Sequence, residues 1–226
     1  GDMYIGKFKN GLFHGNGILT LKDGNCFIGK FDNNSFLAKS AVKQNLIDIS
    51  NFLEEKKEKY YLFIDTETTG LPDDYNAPLT DFTNWPRIVQ ISYVLCDEKE
   101  ELIAEADFII QPDGFNIPID STKIHGISQQ EAIKNGFNLI SVLQHLAALI
   151  SRVDFVIGHN IAFDEKIIGS EFLRNDFKNP IEAKKKFCTM IFGTEYINSI
   201  NKQTTKWPRL SELYEKLFHN QFDYAH

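Results

Sequence analysis

Residues 60–70 read YYLFIDTETTG and join an apolar run to an acidic motif. The first five residues are apolar, as in a short buried strand, and acidic residues follow directly. Asp65 and Glu67 are two positions apart, so on an extended chain their side chains point to the same side. Carboxylate oxygens are the ligands that Mg²⁺ or Mn²⁺ prefers. We therefore expect a metal site at this strand end, where Thr-Thr-Gly lets the backbone approach a ligand.

A second acidic element reads GHNIAFD and covers residues 158–164. It follows an apolar run that predicts a strand, and it enters a predicted helix. Asp164 then falls in the first turn of that helix, where the macrodipole favours an anion and is expected to lower the pKa of the carboxyl. A third carboxylate thus comes from a separate strand. Asn160 is equally well interpreted as the helix cap, and His159 as a packed core histidine.

The remaining pattern between residues 60 and 226 predicts an α/β domain. Strands are expected over 60–64, 87–95, 102–110 and 153–157, the second and third joined as an antiparallel hairpin by the polar turn 97–100. Ser128 and Glu131 have the spacing of a capping box, and Asn138 caps a longer apolar-striped helix. Further helices are expected over 161–173 and 210–218. Paired strands followed by alternating strands and helices indicate a mixed sheet with helices on its faces.

The first 36 residues contain an internal repeat. The sequence GDMYIGKF at 1–8 recurs as GNCFIGKF at 24–31, a period of 23 with five identities in eight. Asn-Gly and Asp-Gly pairs between these segments are strong hairpin signals. The segment resembles the MORN repeat, a β-hairpin unit, over one repeat and about half of another. Repeats of this length stack into arrays, so further repeats are expected upstream. The repeat segment is equally compatible with two roles, a docking surface for protein or lipid and a passive spacer.

Residues 37–59 predict a helical linker. Val42, Leu46, Ile49 and Leu53 recur at helical spacing and form one apolar stripe. A mixed-charge tail over 54–59 then leads into the α/β domain. The predicted organisation is therefore a repeat segment over 1–36, a linker over 37–59 and an α/β domain over 60–226.

Composition limits the classes of function. The 226 residues carry a net charge of −7, of which residues 60–226 contribute −9 and residues 1–59 contribute +2. Such an acidic domain is not a tight nonspecific nucleic-acid binder, although carboxylates that hold divalent cations still allow action on phosphates. No apolar run is long enough for a transmembrane segment, and no signal peptide is recognisable. Three scattered cysteines, Cys26, Cys96 and Cys188, favour a reducing cytoplasm.

The two acidic motifs, together with Ala-His at 225–226, resemble the DEDDh exonucleases. This family includes the proofreading epsilon subunit of bacterial DNA polymerase III and ribonuclease T. Intervening segments at 87–91, 124–128 and 207–213 fit as well, so the resemblance spans roughly residues 60–226. It implies a ribonuclease H-like fold, in which helices flank a mixed five-stranded sheet, here preceded by the small β-hairpin repeat segment.

The resemblance also implies the chemistry. Asp65, Glu67 and Asp164 would hold two Mg²⁺ or Mn²⁺ ions, with Glu67 also counted as catalytic, and His226 would be the general base for the attacking water. Five further positions match residues that hold the terminal nucleotide, although their apolar members are also interpretable as core: Thr66, Leu71, Ile127, Asn160 and Phe163. The family has one more metal-binding Asp five residues after the histidine, whereas this sequence stops at His226. We therefore expect a cropped C-terminus and reduced activity.

Two functions follow as hypotheses. The first is a metal-dependent 3′–5′ exonuclease that releases nucleoside 5′-monophosphates from single-stranded or frayed DNA or RNA. A modest basic rim for the strand would come from Lys202, Lys206, Arg209 and the lysines at 184–186, although the latter three are more simply a solvated loop. The alternative is a binding module in which the repeats dock a protein or membrane partner and the nuclease fold is catalytically incomplete. A polymerase-associated proofreader differs from the first hypothesis only in its partner.

Overall fold

The N-terminal part of the chain is an antiparallel sheet. The computed structural model describes residues 2–20, 25–37, 47–48, 59–201 and 206–220. Within these residues the first sheet contains β1 (Met3–Lys9), β2 (Leu12–Thr20), β3 (Asn25–Asp32), β4 (Ser35–Phe36) and β5 (Ile47–Asp48). Asn10 and Gly11 join β1 to β2 with φ of 53° and 76°. This confirms the hairpin predicted from Asn-Gly, since a type I′ turn needs positive φ at both positions.

The repeat pattern of aromatic residues and glycines has a packing explanation. A Cβ added to Gly6 would lie 2.6 Å from the Tyr4 hydroxyl oxygen and 2.8 Å from the Gly17 Cα. The Tyr4 ring therefore occupies the space that a side chain would fill. It also stacks on Phe13, with ring centroids 3.8 Å apart.

The predicted helical linker 37–59 is wrong where the structure describes its interior. Ile47 and Asp48 form β5 and pair antiparallel with Cys26 and Asn25 of β3. Pairing at the edge of the repeat sheet supplies hydrogen-bond partners for the backbone of these two residues. The helical spacing of the apolar residues therefore does not determine their secondary structure. Residues 38–46 and 49–58 lie outside the described parts of the chain.

The second sheet confirms the predicted mixed fold. Its five strands are β6 (Tyr60–Thr68), β7 (Ile88–Asp97), β8 (Leu102–Ile109), β9 (Phe155–Gly158) and β10 (Lys185–Cys188), in the spatial order β10-β9-β6-β7-β8. Strands β6, β7 and β8 pair antiparallel, whereas β9 runs parallel to both β6 and β10. Strand β6 continues four residues beyond its predicted end and includes both acidic residues.

The interpretation of residues 184–186 as a solvated loop is wrong. Lys185 and Lys186 belong to β10, which pairs with β9. Lys184 Nζ donates to the carbonyl oxygens of Ser151 and Val153, and Lys186 Nζ lies 2.7 Å from the Glu165 carboxylate. These lysines fasten β10 to its neighbours, so Lys184 and Lys186 are not available as a basic rim.

Six helices complete the described part of the second domain. They are α1 (Ile119–His125), α2 (Gln129–Asn135), α3 (Leu139–Arg152), α4 (Ile161–Arg174), α5 (Thr189–Asn201) and α6 (Leu210–Phe218). The predicted caps are in place, since Ser128 Oγ accepts from the Glu131 N–H and Asn138 Oδ1 from the Ser141 N–H. None of the helices in the described ranges combines the length and apolar character that crossing a bilayer requires.

The main core lies between the second sheet and helices α3 and α4. Alternate residues of β6, β7 and β8 are buried against the apolar faces of these helices, as shown by Leu62, Ile91, Leu146 and Ile168 at 0–1% exposure. Ile18 of β2 belongs to the same cluster. The Asn16 side-chain amide also donates to the Asn135 carbonyl at the end of α2. The repeat sheet therefore contacts the α/β domain.

Candidate active site

The two acidic residues of β6 lie on the face of the sheet away from the main core. Residues 62, 64, 66 and 68 are buried, whereas Asp65 is exposed and Glu67 is half-buried. Across the strand pair, Asp65 faces Ser92 and Glu67 faces Gln90 of β7. The strand alternation therefore places both carboxylates on one side, as the sequence predicts.

Strand β9 brings the third carboxylate to the same edge. Because β9 and β6 are adjacent and parallel, their carboxyl ends meet. The chain passes closely there, since a Cβ on Gly158 would lie 3.1 Å from the Ile64 carbonyl oxygen. Asn160 then adopts a left-handed conformation, with φ 71° and ψ 43°, and turns the chain into α4. Asp164 follows in the first turn of that helix.

Asp164 is fixed directly to the acidic strand. Its Oδ1 accepts hydrogen bonds from the Thr66 N–H at 3.0 Å and from the Thr66 hydroxyl at 2.7 Å. Thr66 is the residue between Asp65 and Glu67, so one side chain from α4 reaches the centre of the β6 motif. Asp164 is 3% exposed.

The predicted lowering of the Asp164 pKa is wrong. Burial raises the pKa of this carboxyl, the neighbouring Asp65 charge raises it further, and the result is about 7 despite the hydrogen bonds from Thr66. The helix macrodipole and these hydrogen bonds favour the anion, but loss of solvent and a like charge outweigh them. Asp65 and Asp164 therefore lie close enough to interact as charges.

The site is consistent with a divalent cation but is not a preformed cluster. Among the described residues, no group of three or more His, Cys, Asp and Glu side chains is arranged to hold a metal ion. Asp65 and Asp164 nevertheless supply hard oxygen donors, and their mutual repulsion is what a cation between them would relieve. Glu67 lies on the same strand face as Asp65. His226 lies outside the described residues.

Comparison with known families decides the assignment. The family model described as exonuclease, RNase_T, matches residues 62–226, and the MORN repeat model matches residues 4–26. The chain belongs to this exonuclease family. Both resemblances drawn from the sequence are thereby confirmed. A search of the curated proteins found no match.

Solved structures share the exonuclease fold. Escherichia coli exonuclease I in complex with a dT13 oligonucleotide is 20% identical with a TM-score of 0.54, over 70% of this chain and 35% of that one. Apo exonuclease I is also 20% identical, with a TM-score of 0.55, over 70% of this chain and 37% of that one. Exonuclease I in complex with SSB-Ct is 20% identical, with a TM-score of 0.55, over 70% of this chain and 36% of that one. The chain thus spans about a third of the length of these proteins.

The predicted nucleotide-contacting residues of the exonuclease domain occupy different environments. Leu71 is 72% exposed, just beyond the acidic strand. Ile127 is 6% exposed and packs with Val89, Ile117 and Ala132 in a separate small core. Phe163 is partly buried against the main core. Among these three, only Leu71 presents a largely exposed apolar side chain.

The two polar members of that set have structural tasks. The Thr66 hydroxyl is engaged by Asp164. Asn160 occupies the N-cap position of α4, as one sequence interpretation has it, but its side chain makes no capping hydrogen bond. Its left-handed backbone is what the turn requires.

His159 of the exonuclease domain makes contacts that sequence reasoning did not find. Its Nε2 donates to the Pro208 carbonyl oxygen at 2.9 Å, because a carbonyl can only accept, and its Nδ1 lies 3.0 Å from the Thr189 hydroxyl. One imidazole thus connects the end of β9 with the start of α5 and with the segment before α6. In the sequence, only the position of His159 beside Asn160 indicates a role for it. Its two partners could not be predicted, because they are 30 and 49 residues away in the chain.

Proposed function

We propose that the chain is a metal-dependent 3′–5′ exonuclease that hydrolyses phosphodiester bonds at nucleic-acid 3′ ends and releases nucleoside 5′-monophosphates. The observation that carries the proposal is the contact between Asp164 and Thr66. It brings a carboxylate from α4 next to Asp65, in a domain whose family is exonuclease.

In this proposal Asp65, Glu67 and Asp164 hold the divalent cations, Mg²⁺ or Mn²⁺. Bound there, two such ions would lower the pKa of an attacking water and stabilise negative charge on the phosphate. Thr66 keeps the Asp164 carboxylate oriented through its N–H and hydroxyl. His226 accepts the proton of the attacking water, a role suited to a histidine near neutral pH.

The proposed substrate is single-stranded DNA or RNA, or a frayed 3′ end. The oligonucleotide in the exonuclease I complex is dT13, which favours a single strand as the first substrate to test. The acidic charge of the domain argues against tight nonspecific binding, and the cations supply local positive charge at the scissile phosphate.

The direct test is digestion of matched 20-nucleotide DNA and RNA strands that carry a label at the 5′ end. We expect a ladder that shortens from the 3′ end, with nucleoside 5′-monophosphates as products, in Mg²⁺ and not in EDTA. Asp65→Asn is expected to lower the rate at least 100-fold. Glu98→Gln is the matched control. Glu98 lies in the turn after the last residue of β7, whereas Gln90 and Ser92, which face Glu67 and Asp65, lie nearer the start of that strand.

Two outcomes would change this assignment. Shortening from the 5′ end would contradict the direction. Absence of hydrolysis in every form, with binding of a partner unaffected by Asp65→Asn, would favour the alternative of a binding module.

A further inference from the structure

We propose that residues 206–209, here named the 206–209 loop, are a contact site for the single-stranded nucleic acid, with Trp207 stacking on a base. The inference rests on the proposed nuclease function and names residues that bind the strand beyond its terminal nucleotide. The loop reads Lys206-Trp207-Pro208-Arg209 and directly precedes α6.

Three of the four side chains in the loop are exposed, including a tryptophan. Pro208 is buried, whereas Lys206, Trp207 and Arg209 are all exposed. Trp207 has 67% of its surface exposed, although tryptophan is a large apolar side chain that is highly buried on average. The other tryptophan of the chain, Trp85, is 2% exposed. An exposed indole is a suitable platform for stacking, because every nucleobase offers a π-face.

His159 ties this loop to the site. The bond from His159 Nε2 to the Pro208 carbonyl is 2.9 Å long, and the imidazole is held from its other side by the Thr189 hydroxyl. His159 immediately precedes Asn160, the residue that turns the chain into α4 and towards Asp164. The loop is therefore fastened to the end of β9, the strand from which the chain continues through Asn160 to Asp164.

The charge of the loop suits a phosphate backbone. Lys206 and Arg209 flank Trp207 in a domain whose net charge is strongly negative. Lys206 makes one long ion pair, 3.5 Å, with Glu212 at an exposed position. Such a pair is weak and can give way to a phosphate. Positive charge combined with an exposed aromatic ring is the combination that single-strand binding surfaces use.

The first test measures binding without hydrolysis. Fluorescein-labelled dT20 and rU20 are titrated in EDTA, and the anisotropy gives a Kd for each. We expect Trp207→Ala to weaken binding about tenfold, whereas Trp207→Phe retains most of the affinity. Phe218→Ala is the matched control, since it removes an aromatic ring that is 59% exposed at the other end of α6. dT20 should also quench tryptophan emission in the parent and not in Trp207→Ala. Comparison of the dT20 and rU20 arms shows whether DNA or RNA is preferred.

The second test asks whether His159 presents the loop. His159→Ala is expected to weaken dT20 binding as Trp207→Ala does, and His159→Gln, which keeps an N–H donor, is expected to restore part of it. Hydrolysis of the p-nitrophenyl ester of thymidine 5′-monophosphate by the parent with Mg²⁺ tests the candidate active site with a single nucleotide, without the rest of the strand.

The outcomes separate the two proposals. The loop assignment is overturned if the parent binds neither strand, if Trp207→Ala binds both as tightly as the parent, or if Phe218→Ala weakens binding equally. If the parent hydrolyses neither the ester nor any strand while Trp207-dependent binding persists, the nuclease proposal fails and the loop assignment stands.

Discussion

At the scale of single residues, the carboxyl of Asp164 is placed where its charge is unfavourable. It is 3% exposed, lies near Asp65, and has a pKa raised to about 7. The folded state therefore binds more protons than the unfolded state between about pH 4 and 7. Stability that this group contributes in acid is lost as the pH rises through 7. A cation at the site would reverse that loss. An unfavourable buried charge in the metal-free protein is therefore expected of a site that binds metal.

The first prediction concerns the metal-free protein. Asp164→Asn keeps an oxygen that accepts from Thr66 but removes the charge. In EDTA at pH 8 we expect the variant to be more stable than the parent by on the order of 2–4 kcal/mol, with a smaller difference at pH 5. Urea unfolding at both pH values measures this. The variant should at the same time lose Mg²⁺-dependent hydrolysis. Equal stability of the two forms at pH 8 would contradict the buried charge.

A second residue-scale prediction concerns His145 of α3. Burial lowers the pKa of this histidine to about 4, and its Nε2 lies 2.8 Å from the Tyr93 hydroxyl. The unfolded chain binds its proton near pH 6.5, so stability present above that pH is lost as the pH falls to about 4. The loss is on the order of 3 kcal/mol. His145→Gln should flatten the stability profile between pH 6.5 and 4, whereas the exposed His219→Gln should leave its shape unchanged.

At the scale of elements, an ion pair joins α4 to the start of β7. Glu171 is fully buried, and its Oε1 lies 2.7 Å from Arg87 Nε and also accepts from the Ile88 N–H at 3.3 Å. Arg174 contributes a longer contact of 3.6 Å. This pair connects the helix that carries Asp164 with the strand beside Glu67, so it stabilises the arrangement of the site.

Removal of one partner is expected to be costly. Arg87→Leu leaves the buried Glu171 charge with only the longer Arg174 contact and should destabilise the protein by about 3–5 kcal/mol. Adding Glu171→Gln removes that charge and should recover part of the loss. Urea unfolding of both single variants and the double variant forms the cycle. Additive losses would show that the two side chains do not interact.

Elements differ in how far sequence determines them. Strands β6 to β9 and the caps of α2 and α3 were predictable, because apolar runs and capping residues act locally. Strand β10 was not, since its two lysines and the preceding Lys184 look solvated in sequence. Its strand character depends on pairing with β9, and Lys184 and Lys186 bond to Ser151, Val153 and Glu165 only in the folded chain. The bridge from His159 to Pro208 is likewise visible only after folding.

At the scale of the whole molecule, the repeat sheet and the exonuclease domain share core residues. Ile18 of β2 is 3% exposed and lies in the main hydrophobic cluster. The sequence predicts the motifs of both parts but not this contact, because nothing in a repeat pattern indicates which face packs elsewhere. The predicted boundaries at 36 and 59 remain predictions.

The contact leads to a prediction. Ile18→Asp places a charge in the shared core and should lower the free energy of unfolding by about 2–4 kcal/mol. Phe8→Asp, at a position 58% exposed in the same sheet, should change it by less than about 1 kcal/mol. Thermal unfolding monitored by circular dichroism compares them. Equal effects would show that Ile18 does not connect the two parts.

The proposed function requires carboxylates from β6 and α4 to bind a divalent cation together. Calorimetric titration of Mn²⁺ into the parent, Asp65→Asn and Asp164→Asn at pH 8 tests it most directly. We expect measurable binding by the parent and at least tenfold weaker binding by each variant. Binding by either variant as tight as that of the parent would contradict it.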